Sequence, residues 1–120
     1  MNFLVVDDSA TMRKIVGVAL GGAGHTYVEA ENGKIGLEKA RAGKFDLVIL
    51  DVNMPEMNGI EFLKAQAADS ALKGLPVIVL TTQDEEALKN EALGLGAKDF
   101  LVKPFQKDGL LASIAGVLGK

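Results

Sequence analysis

Cysteine is absent from the 120-residue sequence, which excludes both a disulfide framework and a thiolate metal site and leaves the redox compartment unread. Histidine occurs once, as His25 after a glycine-rich turn, so no imidazole cluster can hold a metal and His25 reads as a bystander. No apolar run approaches the ~18 residues needed to cross a bilayer. Met1, Asn2 and Phe3 pass directly into Leu4, Val5 and Val6, without the basic start and cleavage site of a signal peptide. A soluble cytoplasmic protein is therefore expected. The net charge of −3 offers no broad basic surface, so direct nucleic-acid binding is not expected. Linkers and low-complexity tracts are missing as well, and residues 1–120 suit a single domain long enough to bury a core.

What the chain does have is a regular alternation. Five short apolar runs, Phe3 to Val6, Thr26 to Ala30, Phe45 to Leu50, Pro76 to Leu80 and Asp99 to Val102, are separated by stretches of helical period. Three of the runs are nearly all Val, Leu and Ile, as expected of strands covered on both faces in a parallel sheet. The second is the least apolar and is expected at an edge. Ser9 is placed to cap a first helix whose stripe is Met12, Ile15, Val16, Ala19 and Leu20, with Gly21, Gly22 and Gly24 stopping it. Asn32 and Gly43 bound a second helix over about Lys34 to Ala42, despite Gly36 inside it. Ile60, Leu63 and Ala67 mark a third. Asp84 is positioned to cap a fourth, with Glu85 and Glu86 favoured in its first turn, Leu88, Ala92 and Leu95 on one face and Gly96 closing it. Leu110, Ile114 and Val117, with Leu111 and Leu118 beside them, mark a fifth. The pattern predicts an α/β fold, (βα) repeated five times around a parallel sheet.

In such a sheet, ligands gather beyond the carboxyl ends of the strands. Asp7 and Asp8 follow the first run, Asp51 the third, Thr81 and Thr82 the fourth, and Lys103, just before Pro104, the fifth. Carboxylates also favour helix N-termini, so Asp7 and Asp8 alone could serve as caps; together with Asp51 and Lys103 they point to a shared pocket. Like charges about 4 Å apart repel by roughly 4 kcal/mol per pair at an effective dielectric near 20, and a hard divalent cation is the simplest remedy. A cation held by carboxylates, a lysine ammonium and a threonine hydroxyl suit phosphoryl transfer. A carboxylate can itself be the nucleophile, and Asp51, from a central strand, is the candidate.

The stretches VVDDSATMRKIV, LVILDVNMPEMNG, VIVLTTQ and GAKDFLVKPF together resemble, in order and over essentially the whole chain, the receiver domain of two-component response regulators. The resemblance implies a doubly wound, flavodoxin-like sheet with strand order 2-1-3-4-5. It also implies Asp51 as phosphoacceptor, Asp7 and Asp8 as the metal-binding acidic pair, Thr81 as the conserved hydroxyl, Lys103 as the conserved lysine and Phe100 as the aromatic switch position. The Asn53 backbone carbonyl would be a further Mg²⁺ ligand, and the peptide before Pro104 would be cis. Asn53 and Gln83 flank the site and could influence attack of water on the phosphorylated aspartate. The chain departs from common patterns at Thr82, where many receivers have a smaller residue, and at Phe100, where chemotaxis regulators often have tyrosine.

The implied function is a signalling switch, stand-alone and similar to chemotaxis regulators, acting in chemotaxis or a phosphorelay. The phosphoryl donor would be a phosphohistidine of a sensor histidine kinase or a histidine-phosphotransfer protein. A downstream protein would bind a face made by the fourth helix, fifth strand and fifth helix. Such a protein is a switch rather than an enzyme, catalysing only its own phosphorylation and dephosphorylation. The alternative is a Mg²⁺-dependent phosphohydrolase of the haloacid-dehalogenase type, which has a second aspartate two positions after its nucleophile; here that place after Asp7 holds Ser9. A flavodoxin-like cofactor binder would need a hydroxyl- and glycine-rich phosphate loop that the first turn lacks.

Overall fold

A computed structural model describes residues 1–52, 59–70, 72, 74–81, 86–102 and 106–118. Its elements run β1 (Asn2–Val6), α1 (Ala10–Gly22), β2 (Thr26–Ala30), α2 (Gly33–Ala42), β3 (Leu47–Asp51), α3 (Gly59–Ala68), β4 (Val77–Thr81), α4 (Glu86–Gly94), β5 (Asp99–Val102) and α5 (Lys107–Leu118). The strands form one parallel sheet in the order β2-β1-β3-β4-β5, the doubly wound arrangement expected.

Side chains alternate across a strand with period two, and the sheet accordingly divides its apolar residues between two layers. Phe3 and Val5 of β1 and Leu47 and Ile49 of β3 pack with Val16 and Leu20 of α1 and Leu110 and Ile114 of α5. Leu4, Val6, Val48 and Leu50 pack on the opposite face with Leu37 of α2, Phe62 and Leu63 of α3 and Ala92 of α4. Every residue of β3 and β4 is buried, whereas only Ala30 of β2 is, so the least apolar strand does lie at the edge.

The caps follow the sequence. Ser9 Oγ accepts the Met12 N–H at 3.2 Å and Asn32 Oδ1 accepts the Ile35 N–H at 2.8 Å, each satisfying a donor that the first turn leaves open. Beyond α4, Gly96 adopts φ +108 while the Ala97 N–H reaches back to the Ala92 carbonyl at 3.1 Å, a left-handed ending that glycine accommodates without strain. The expected Asp84 cap and Glu85 lie outside the described residues.

Helix α1 differs from its expected stripe. Val16, Ala19 and Leu20 are buried and Met12 is half-buried, but Ile15 is 50% exposed; Val18, outside that stripe, is exposed too. Gly17 is buried beside Tyr27 of β2, whose ring lies so close that a Cβ there would fall 2.3 Å from Tyr27 Cζ. The buried arc is therefore turned toward Gly17 and away from Ile15, which lines an apolar groove with Val18 and Lys107. Among the described residues no helix is long and apolar enough to cross a membrane.

Candidate functional site

The register that builds the sheet also builds the site. Val6 pairs with Leu50, so Asp7 and Asp51 come next on two adjacent strands. Asp51 pairs with Leu80 and Thr81 with Val102, which places Thr81 one residue further along the neighbouring strand at the same edge. Asp7 and Asp51 are 2% and 4% exposed and Thr81 is fully buried, while Asp8 is exposed. One carboxylate oxygen from each of Asp7, Asp8 and Asp51 lies within 4.8 Å of the other two.

Backbone contacts fix these carboxylates. The Asp7 N–H donates to the Ala30 carbonyl at 3.1 Å, and Asp7 Oδ1 accepts the Ser9 N–H at 2.9 Å. Past Asp51 the ladder continues, with the Val52 N–H donating to the Leu80 carbonyl at 3.3 Å and the Gly59 N–H to the Val52 carbonyl at 3.1 Å. A Cβ at Gly59 would lie 2.8 Å from Val52 Cα and 2.9 Å from the Asp51 carbonyl oxygen. Both neighbours are backbone atoms, so the start of α3 can press against the end of β3 only because residue 59 has no side chain.

Two buried carboxylates at this separation repel by roughly 3 kcal/mol at an effective dielectric near 20. The donor set consists of carboxylate oxygens, one of them solvent-facing, and fits a hard divalent cation that keeps part of its water shell. Such a cation would offset the repulsion at the cluster.

Phe100 is buried in the same layer as Val79, its register partner; Thr81, two residues beyond Val79, shares that face. Asn53 and Lys103, along with Thr82, Gln83 and Pro104, lie outside the described residues; they directly follow or closely trail Val52, Thr81 and Val102. Two residues at the site are given no role by the sequence reading: Gly59, and Arg13, whose guanidinium reaches the Asp7 carbonyl. No spacing rule pairs Arg13 of α1 with its other partner, Glu29 of β2; the packing of α1 against β2 does.

The family model for the response regulator receiver domain matches residues 3–115. The chain belongs to that family. It is 41% identical over 121 residues to the chemotaxis protein CheY1 of Helicobacter pylori, covering 99% of this chain and 98% of that protein. Against protein PilH of Pseudomonas aeruginosa it is 38% identical over 115 residues, covering 96% and 95%. Among solved structures, the chemotaxis protein CheY4 of Vibrio cholerae superposes with a TM-score of 0.92 at 41% identity, covering 98% of each chain. The receiver is thus a phosphorylation-activated module of two-component signalling, with a histidine kinase or phosphotransfer protein upstream and an effector downstream. None of these matches favours the phosphohydrolase alternative.

Proposed function

We propose that Asp51 is the phosphoacceptor and that the acid cluster binds Mg²⁺ through Asp7, Asp8, Asp51 and the Asn53 backbone carbonyl. The observation that carries this reading is the convergence of three carboxylate oxygens within 4.8 Å of one another at the carboxyl edge of a receiver sheet. An Asp51 carboxylate oxygen attacks the phosphorus of a partner's phosphohistidine. The P–N bond breaks, its electron pair returns to the imidazole nitrogen, and an acyl phosphate remains on Asp51. Bound Mg²⁺ would supply positive charge toward the phosphoryl oxygens. Lys103 balances further charge, and the Thr81 hydroxyl donates a hydrogen bond to the phosphoryl group.

Residues 1–120 act as a single receiver domain in the cytoplasm, with no direct nucleic-acid contact and no activity beyond the chain's own phosphorylation and dephosphorylation. Output passes through α4, β5 and α5. Two elements of that face are tied together by Ser113 of α5, whose hydroxyl donates to the Asp99 carboxylate of β5, while the Phe100 N–H donates to the same carboxylate at 2.8 Å. The named relatives favour a chemotaxis-type pathway, with a phosphorelay as the other setting.

Phosphoramidate, which shares the P–N bond of phosphohistidine, tests the chemistry. Phosphorus NMR should show an acyl phosphate resonance in Mg²⁺ with the wild-type protein and none with Asp51→Asn. Absence of that resonance in the wild type overturns the reading.

A further inference from the structure

We propose that Arg13 is a positioning residue for the cation site, holding the Asp7–Asp8 turn in register with β2. The inference rests on the cation reading of the acid cluster above. Arg13 projects from the first turns of α1 and its side chain is only 12% exposed. Its Nη1 donates to the Asp7 carbonyl at 2.6 Å, and its Nε donates to Glu29 Oε1 at 3.0 Å. The Glu29 carbonyl in turn accepts from Lys39 Nζ.

The two bonds bridge the ends of neighbouring strands. Asp7 lies just past the end of β1, where β2 leaves the sheet after Ala30. Its N–H donates to the Ala30 carbonyl, and its C=O accepts from Arg13 Nη1. The second arm of Arg13 lands on Glu29, the residue preceding Ala30. Both ends of the Asp7 peptide are therefore tied to the last two residues of β2. A guanidinium can hold two acceptors at once in a fixed fork, which an ammonium cannot.

Electrostatics alone predicts the opposite consequence. A guanidinium beside a carboxylate cluster opposes cation binding, so on charge alone its removal would tighten the site. Glu29 offsets that charge, leaving a nearly neutral pair whose main effect is geometric. Groups that orient the ligands of a metal commonly change affinity by 10–100-fold when removed.

The test is Mg²⁺ binding, followed by calorimetry and by amide NMR of Asp8 and Ser9, in wild type, Arg13→Lys and Arg13→Ala, with folding checked by circular dichroism. Arg13→Lys keeps the charge and loses the fork, and should weaken Mg²⁺ binding several-fold. Arg13→Ala should raise the dissociation constant by about tenfold or more although it removes a positive charge. Raised salt should not abolish either loss, since a geometric effect is not screened. Wild-type affinity in Arg13→Lys, or equal or tighter binding in Arg13→Ala, overturns the inference while leaving the cation site standing. If the wild type itself binds no Mg²⁺, the cation reading and this inference fall together.

Discussion

Asp7 and Asp51 stand side by side at the ends of β1 and β3, both almost fully buried, with carboxylate oxygens within 4.8 Å. Parallel pairing one residue earlier, Val6 with Leu50, makes that proximity unavoidable once the sheet forms. The same step that completes two hydrophobic layers also concentrates negative charge, and the functional chemistry grows from this tension.

Charge relief should therefore appear in stability. Urea melts of the metal-free protein are expected to show Asp51→Asn more stable than wild type, by between about 1 and 4 kcal/mol according to the local dielectric. Mg²⁺ at a hundredfold excess over its dissociation constant should stabilise wild type by about 2.7 kcal/mol. Melts in which Mg²⁺ has no effect, or the variant is the less stable protein, would count against a shared pocket.

Gly59 should tolerate no side chain. Gly59→Ala places a methyl group against Val52 Cα and the Asp51 carbonyl oxygen, so either α3 or the end of β3 must move. A loss of about 1–3 kcal/mol in stability is expected, together with slower phosphorylation because the displaced backbone carries the proposed nucleophile. Wild-type melting and wild-type phosphorylation rates in this variant would show that α3 can shift without disturbing Asp51.

Much of the fold was legible because Val, Leu and Ile runs covered on two faces admit few alternatives. The strand edges were less so. Phe45 reads as the start of the third strand, yet it lies before β3 and packs beside the core as a half-buried residue. Asp51 and Thr81 interrupt the apolar pattern, yet backbone pairing runs through both, because hydrogen bonding is indifferent to side-chain polarity. Ile15 was misread for a different reason. Helical period locates an apolar arc, but the buried arc is centred between Val16 and Leu20 and includes Gly17, which packs against the Tyr27 ring. At the site, Asp7, Asp8, Asp51 and Thr81 were visible as polar residues ending apolar runs, while the role of Arg13 depends on a partner brought close only by the packing of α1 against β2.

Thr81 and Phe100 should couple the pocket to the α4–β5–α5 face. Both lie on one side of the sheet, separated by the register partner Val79, so an inward shift of the Thr81 hydroxyl toward a phosphoryl oxygen would alter the space available to the ring. Amide NMR with beryllofluoride as phosphoryl mimic, following Glu86 to Leu95, should show smaller shifts in Thr81→Ala and in Phe100→Leu than in wild type. Asp51 should remain phosphorylated in both. Wild-type-sized shifts in both variants would reduce Phe100 to core packing.

The most direct test of the central claim is the intact mass of the protein after incubation with acetyl phosphate. With Mg²⁺ present, a single phosphoryl adduct is expected on wild type, none on Asp51→Asn, and little on wild type in a chelator. An adduct that persists on Asp51→Asn, or forms equally well without the metal, would contradict the assignment of Asp51 as the cation-assisted phosphoacceptor.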